Sequence, residues 1–318
     1  MSASFKHVDP KLHGLVEVDS SARIQMIEKD LFIEHDMSRF LNSQLDALMA
    51  EPRHSRMPCL LITGDAGMGK TAQLRRFQRR YPDDCGAGNA ERRRPIVIAD
   101  TPPEPTRATL ELALLEALEA PGFARGRAID RLALIRRLLT AHKTRGLIFD
   151  EIQHLCHSHS RDRAVVLDTV KALSTTCQMT VICAGTPAVV ADFHADPQLE
   201  RRFCVTQLEK WKPGAALDRF LATYERARPL RRPSRLNTPP LVAALLAETG
   251  GTTHSIMQAL NSAAIVAIHE GIEHITPELL TVQRTDPARL LRAKLSARAA
   301  ATAVAVNDES EERAEVAA

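Results

Sequence analysis

The sequence predicts an α/β protein with a five-stranded parallel sheet, followed by a smaller helical domain. Two observations lead to this prediction. Five short stretches are almost entirely apolar and are separated by helical patterns, which is typical of a parallel sheet whose two faces are covered by helices. After Trp211 no further stretch of this kind follows, and residues 217–280 show helical patterns with breaks at 229–233 and at Gly250 and Gly251.

The composition is that of an ordinary globular protein. Its 318 residues are 44% apolar and 25% charged, which is enough chain for two domains. No apolar run reaches the roughly 20 residues that cross a bilayer. The first ten residues, MSASFKHVDP, contain no hydrophobic signal region. We therefore expect a cytoplasmic protein with no membrane partner.

Cysteines and charges narrow the function classes. The six cysteines are scattered without a CxxC pair, which indicates reduced core residues and not a disulfide framework. The net charge of +3 gives no overall basic field of the kind that marks a nucleic-acid binder. The arginines are nevertheless clustered at 75–94 and 226–235. Such runs are most often solvated faces, and a surface for nucleic-acid phosphates is the alternative.

The predicted elements follow in order along the chain. Residues 1–20 show no period and predict a mobile arm. Apolar residues at helical spacing then predict a helix from Phe40 to Met49 that ends before Pro52. Strands are predicted at 59–63, 95–100, 146–150, 180–184 and 204–208. We expect the domains to be an α/β domain with its helical entry over 21–210, a helical domain over 211–285, and a lone or partly disordered helix over 286–318.

A glycine-rich loop follows the first predicted strand. The stretch GDAGMGKT matches the P-loop pattern, with the required strand before it and helix after it. Glycines let backbone N–H groups turn toward phosphates, Lys70 neutralises the outer phosphates, and the Thr71 hydroxyl holds Mg²⁺. The sequence therefore predicts a site for ATP and Mg²⁺ formed by Gly64, Asp65, Ala66, Gly67, Met68, Gly69, Lys70 and Thr71.

Two carboxylates end the third predicted strand. Asp150 stands at the carboxyl end of an apolar run, where a P-loop enzyme holds Mg²⁺ through water. Glu151 follows it and is placed to polarise an attacking water. We expect Asp150 to bind the metal together with Thr71, and Glu151 to act as the catalytic base. The pair favours hydrolysis of ATP over transfer to a small acceptor.

Two further features complete the predicted catalytic set. Thr186 ends the fourth strand, where its hydroxyl would bind the γ-phosphate or the attacking water; a helix cap before Pro187 is the alternative. Arg201 and Arg202 precede the last strand and are placed to reach the γ-phosphate of a neighbouring subunit as an arginine finger. A surface arginine pair is the alternative. In the first case hydrolysis requires an oligomer.

The loop after Glu151 is rich in potential metal ligands. It contains His154, Cys156, His157 and His159, but a zinc site normally needs four ligands held on rigid elements, and nothing else in the sequence completes such a set. We interpret it as a polar loop near the γ-phosphate that moves with nucleotide state.

Together these motifs resemble the AAA+ ATPases, and among them the TniB type of transposition helper, which is related to the TnsC and Mu B proteins. The resemblance runs from about Arg23 to Leu280 and is based on GDAGMGKT, LIFDEIQHL, VICAGT, DPQLERRF and LEKW. The first two motifs are shared by many ATPases. Their combination with DPQLERRF and the tryptophan that follows points to the transposition branch.

The resemblance implies a sheet in the order 5-1-4-3-2, a helical lid, and ATP bound at subunit contacts. It also implies a homo-oligomeric ring or helical filament on duplex DNA in the bacterial cytoplasm, which marks a target site and recruits and stimulates the transposase of the same element. Carried over to this chain, it makes Thr186 the sensor, Arg202 a better finger than Arg201, and Ile33 and His35 adenine contacts.

One departure from the family concerns the start of a lid helix. AAA+ lids often place an arginine after a glycine there, whereas this chain contains GGTTHS at residues 250–255. Whether His254 or Ser255 takes over this role stays open. We expect slow ATP turnover that oligomerisation or partners stimulate.

Candidate DNA contacts come from loops that face the oligomer axis in the resemblance. These nominate Arg107, Arg161 and Arg163, whose contacts to phosphates would be salt-sensitive and sequence-tolerant. Two other functions remain open at this point. A helicase loader or branch-migration motor would use the same core, although no helicase motif or winged-helix pattern follows. A nucleotide-regulated signalling scaffold without DNA would fit the small net charge.

Overall fold

The computed structural model describes residues 5–84, 92–120 and 128–316, with side chains described outside 128–130 and 303–316. The strands are β1 (Cys59–Gly64), β2 (Ile96–Asp100), β3 (Gly146–Asp150), β4 (Thr180–Gly185) and β5 (Phe203–Leu208). The helices are α1 (His13–Glu17), α2 (Ser20–Glu28), α3 (Asp36–Ala50), α4 (Lys70–Arg79), α5 (Arg107–Ala117), α6 (Ala128–Ala141), α7 (Ser160–Cys177), α8 (Val190–His194), α9 (Pro197–Glu200), α10 (Ala215–Arg226), α11 (Pro239–Thr249), α12 (Thr253–His269), α13 (Pro277–Leu280), α14 (Val282–Thr285) and α15 (Pro287–Val316).

The five strands form one parallel sheet in the order β2-β3-β4-β1-β5. The predicted strands and the order 5-1-4-3-2 are therefore confirmed. In register, Leu61 of β1 lies between Cys183 of β4 and Val205 of β5. Because parallel strands end at the same edge, the residues that follow β1, β3 and β4 meet at one edge of the sheet, with the end of β4 in the middle.

Apolar residues cover both faces of this sheet. Successive side chains of β1 point to opposite faces, so that Cys59 and Leu61 pack into one apolar cluster and Leu60 and Ile62 into the other. All residues of β1, β3 and β4 are buried. This explains why these strands are nearly continuous apolar runs in the sequence.

The chain divides into two compact units. The α/β unit spans Met37–Glu209, and the helical unit combines Met1–Asp36 with Lys210–Ala318. The core of the helical unit is an apolar cluster that includes Leu217 of α10, Leu260 of α12 and Ile24 and Ile27 of α2.

These bounds differ from the expected domains at both ends of the chain. Residues 21–36, expected in the α/β domain, belong to the helical unit because the apolar side of α2 packs into its core. Within the expected arm over residues 1–20, a short 3-10 helix (Pro10–Leu12) and α1 form, and Phe5, Val8 and Val16 are buried together.

The last helix also differs from a lone helix in its first turns. Leu290, Ala293 and Ala297 of α15 are buried in the core of the helical unit. Their spacing of three and four residues places them on one side of the helix. Among the helices of the described residues, none has the length and apolar character required to span a membrane.

Candidate functional site

The P-loop connects β1 to α4 at the carboxyl edge of the sheet. Gly67 and Gly69 have φ angles of 77° and 85°, in the left-handed region that side chains disfavour. A Cβ atom at Gly64 would lie 3.0 Å from Cβ of Leu208, so the loop also starts close to β5. Since α4 begins directly at Lys70, the free N–H groups of its first turn point into the loop, where they suit an anion.

Lys70 is held inside this loop. Its side chain is buried, and Nζ donates hydrogen bonds to the carbonyl oxygens of Gly64 at 2.7 Å and Asp65 at 3.0 Å. Burial lowers the pKa of Lys70 below its ordinary value, and the nearby carboxylates of Glu151 and Asp150 oppose this effect. The ammonium is therefore placed at the centre of the predicted phosphate cradle, close to two carboxylates.

Thr71 and Asp150 meet at the same edge. The Thr71 hydroxyl donates a hydrogen bond of 2.6 Å to Oδ2 of Asp150, whose side chain is almost fully buried at the end of β3. A hydroxyl and a carboxylate oxygen are the ligands that Mg²⁺ uses in nucleotide enzymes, which complete its shell with phosphates and water. The two predicted metal ligands thus fit a magnesium ion in type and position.

Glu151 stands on a sharp turn directly after the strand. Its backbone has φ 55° and ψ 32°, a left-handed conformation that is rare for residues with a side chain and is concentrated at functional sites. Its N–H donates to Oδ1 of Asp150 at 2.9 Å. A 3-10 helix (Ile152–His157) follows, so the chain leaves the sheet directly after Glu151.

Gln153, whose role was not predicted from the sequence, joins Glu151 to the end of β4. Its Nε2 donates a hydrogen bond to Oε2 of Glu151, and its Oε1 accepts one from the Thr186 N–H at 3.2 Å. Its position inside the motif LIFDEIQHL is the sequence signal that pointed toward it.

Thr186 follows β4, which lies between β1 and β3 in the sheet. It precedes the 3-10 helix Pro187–Val189, but its side chain makes no capping hydrogen bond there. The structure therefore gives no support to the capping alternative, and the sensor role stays a prediction.

Arg201 and Arg202 lie at the opposite edge of the sheet. They come directly before β5, whereas the P-loop follows the carboxyl end of the neighbouring strand β1. Arg202 donates a hydrogen bond of 2.9 Å from Nη1 to the Thr175 hydroxyl, and its carbonyl accepts one from the Cys59 N–H. Arg201 is exposed. Neither arginine is placed to act on the P-loop of its own subunit.

The three candidate DNA arginines differ in their surroundings. Arg107 is paired at 2.9 Å with the fully buried carboxylate of Glu111. Arg163 forms an ion pair with Asp192. Arg161 is exposed in the first turn of α7 and forms no ion pair with another described residue.

The predicted adenine contacts and the polar side chains after Glu151 lie apart from the P-loop in the chain and have their own partners. Ile33 is buried in the core of the helical unit, and His35 contacts the rings of Trp211 and Phe220 there, at centroid distances of 5.0 and 6.1 Å. Their contact to adenine stays a prediction. In the loop after Glu151, His154 Nδ1 is 2.8 Å from the Thr101 carbonyl oxygen and Cys156 Sγ is 3.6 Å from the Asp192 carboxylate.

The parallel sheet, the P-loop with its buried lysine and the adjacent carboxylates define the class of protein as an AAA+ ATPase. The family model described as "Bacterial TniB protein" matches residues 23–213, and the chain belongs to that family. Among curated proteins, no sequence match is found.

Solved structures agree with this fold. The ORC1 protein of Aeropyrum pernix in complex with DNA matches with a TM-score of 0.57 and 16% identity, over 83% of this chain and 69% of that chain. The ORC2 protein of Aeropyrum pernix, in its ADPNP-ADP complexes, matches with a TM-score of 0.55 and 15% identity, over 82% of this chain and 71% of that chain. Cdc6p of Pyrobaculum aerophilum matches with a TM-score of 0.54 and 18% identity, over 80% of this chain and 68% of that chain.

Proposed function

We propose that this ATPase assembles on duplex DNA as an ATP-bound homo-oligomer, recruits and stimulates the transposase of its element, and is reset by ATP hydrolysis. The observation that carries the proposal is the division of the site within one chain. Lys70 and Glu151 lie at the carboxyl edge of the sheet, whereas Arg202 lies at the amino edge. Membership of the TniB family supports the link to transposition, and the DNA complex of the similar ORC1 protein supports DNA as the partner.

Each residue at the carboxyl edge has a role in this proposal. Thr71 and Asp150 would hold Mg²⁺, which neutralises charge on the phosphates when bound. Lys70 binds the outer phosphates, and Glu151 accepts the proton of the attacking water. Thr186, at the end of the strand between them, orients that water or the γ-phosphate.

The arginine is the part that a neighbour would supply. An arginine finger stabilises the charge that develops on the transferred phosphate and raises turnover by about 10³- to 10⁵-fold in known phosphoryl-transfer enzymes. With Arg202 of one subunit serving the P-loop of the next, hydrolysis takes place only in an assembled ring or filament. ATP then stabilises the assembly, and its hydrolysis weakens the contact.

DNA would be held through its phosphates. Of the three nominated arginines, Arg161 is our first candidate, because the charges of Arg107 and Arg163 already face Glu111 and Asp192. Contacts of this kind release counterions, so that affinity falls steeply with salt and varies little with sequence.

The shared site is tested by mixing subunits. Arg202→Ala retains its base and lacks the arginine, whereas Glu151→Gln retains the arginine and lacks the base. Each variant alone should hydrolyse ATP slowly, and a mixture should recover part of the activity, because some contacts then combine an intact base with an intact arginine. ATP turnover is measured for each variant and the mixture, with and without random duplex DNA, and Arg201→Ala is the matched control.

The outcomes separate the possible functions. Recovery in the mixture that DNA enhances supports the proposal. No recovery would make Arg202 a structural residue that only holds Thr175. Recovery without any effect of DNA would favour a signalling scaffold, and ATP-driven movement along DNA would favour a motor.

A further inference from the structure

We propose that Gln153 is a positioning residue for ATP hydrolysis, which holds the Glu151 carboxylate and links it to the end of β4 at Thr186. The inference is based on the assignment of Glu151 as the base in the proposed function. The carboxamide of Gln153 donates to Oε2 of Glu151 and accepts from the backbone N–H of Thr186. It therefore connects the proposed base and the proposed sensor directly.

The chemistry of these two partners requires a side chain that both donates and accepts a hydrogen bond. An ionised carboxylate only accepts hydrogen bonds, and a backbone N–H only donates them. A side chain that bridges them must donate at one end and accept at the other. Glutamine does both with one planar group, whereas a methionine of similar length does neither. The two partners also fix which end of the Gln153 amide is nitrogen.

The end of β4 is shaped to admit this side chain. A Cβ atom at Gly185 would lie 2.9 Å from Oε1 of Gln153 and 3.2 Å from its backbone nitrogen. The φ angle of Gly185 is not in the positive range, so the backbone conformation itself does not require glycine. The absence of a side chain at this position is what allows Gln153 to reach the Thr186 N–H.

Gln153 leaves the base able to react. It occupies Oε2 of Glu151, while Oε1 accepts no hydrogen bond from any residue in the described part of the chain. In hydrolysis the water oxygen bonds to the γ-phosphorus, the bond to the bridging oxygen breaks, and Glu151 takes the water's proton. Since one carboxylate oxygen is held by Gln153, the direction of the other, accepting oxygen is fixed as well.

Two substitutions test this role. Gln153→Met keeps the length and removes both hydrogen bonds, and should lower kcat by about 10- to 100-fold, with KM for ATP and the affinity for a non-hydrolysable analogue nearly unchanged. For Gln153→Glu, we expect kcat relative to wild type to depend on pH. Beside a second carboxylate the pKa of the introduced carboxyl is raised; when protonated it donates to Glu151 as the amide does, and when ionised it does not. The kcat of this variant relative to wild type should therefore rise as the pH falls through the pKa of the introduced carboxyl.

Controls make the result specific to Gln153. Gln207→Glu changes an exposed glutamine of β5 in the same unit and should leave kcat unchanged. In the background of Glu151→Gln, Gln153→Met should cause little further loss, because the base that it orients is already absent.

Several results would overturn the inference. An unchanged kcat in Gln153→Met would do so, as would a loss of analogue affinity together with kcat, which indicates a structural role. If Glu151→Gln itself keeps full turnover, the proposed base is wrong; if it is inactive and the Gln153 variants are not, only the positioning role fails.

Discussion

Arg23 and Glu273 form a buried ion pair in the helical unit. Arg23 has no exposed surface, and its guanidinium donates two hydrogen bonds of 2.8 Å to the carboxylate of Glu273. Burial alone would raise the pKa of Glu273, but the hydrogen bonds and charge of Arg23 outweigh this effect and lower it. The backbone N–H of Arg231 also donates to the carboxylate. Each charge therefore depends on the other for its place in the core.

Replacing one partner should destabilise the protein strongly at neutral pH. Glu273→Gln leaves the Arg23 charge buried without its counter-charge, and we expect a loss of about 3 to 5 kcal/mol in the free energy of unfolding. The folded pKa of Glu273 is below its unfolded value, so its stabilisation is present above the unfolded pKa and is lost as pH falls through the folded pKa. The free energies of unfolding of wild type and Glu273→Gln are measured by urea unfolding at pH 7 and at decreasing pH.

The control is a more exposed pair of the same type. Glu270→Gln removes a carboxylate that pairs with Arg289 on α15 while remaining about one-third exposed, and should cost about 1 kcal/mol or less. Equal losses for the two variants, or a loss in Glu273→Gln that stays constant through acid pH, would contradict the role of the buried charge.

At the scale of elements, the joint between α11 and α12 determines where Trp211 lies. The Trp211 N–H donates to the Gly251 carbonyl at 2.8 Å, and its indole N–H donates to the Thr253 hydroxyl at 3.0 Å. Thr252 caps α12 by accepting from the Ser255 N–H, and His254 is exposed. The segment in which many lids carry an arginine is thus used here to fix the tryptophan that follows β5.

Two neighbouring glycines at this joint allow a matched comparison. Gly250 and Gly251 both have positive φ angles, of 60° and 75°, so an alanine at either costs about 1 to 2 kcal/mol. A Cβ atom at Gly251 would also lie 2.6 Å from the Trp211 carbonyl oxygen, whereas one at Gly250 meets nothing within 4 Å. Gly251→Ala should therefore be the less stable variant and should alone shift the fluorescence of the single tryptophan. Equal unfolding midpoints and unchanged fluorescence in both variants would show that the contact does not matter.

At the scale of the whole molecule, the sequence predicted the sheet and the position of the P-loop between β1 and α4 well, and the helical unit less well. The strands were predictable because β1, β3 and β4 are buried apolar runs. The packing of α2 was not predictable, since this helix places a charged residue, Arg23, in the core beside Ile24 and Ile27. The docking of α15 was missed because two of its three buried residues are alanines. Gln153 was missed because its partners, Glu151 and the Thr186 backbone, come together only in the folded chain.

In the proposed function, ATP binding and ATP hydrolysis use side chains on different elements at the carboxyl edge of the sheet. The residues proposed to bind ATP, Lys70 and Thr71, begin α4, and the proposed base follows β3. Binding and hydrolysis should therefore be separable by substitution. Lys70→Ala removes the buried charge that meets the phosphates, whereas Glu151→Gln retains the shape of the site and removes the proton acceptor.

The most direct measurement is the amount and lifetime of protein bound to random duplex DNA, for wild type, Lys70→Ala and Glu151→Gln, in ATP and in ADP and over a range of salt. We predict that wild type binds in ATP and not in ADP, with an affinity that falls steeply with salt. Lys70→Ala should not bind in either nucleotide, and Glu151→Gln should bind in ATP and dissociate far more slowly than wild type. DNA binding that is the same in ATP and ADP, or the same for the two variants, would contradict an ATP-controlled assembly on DNA.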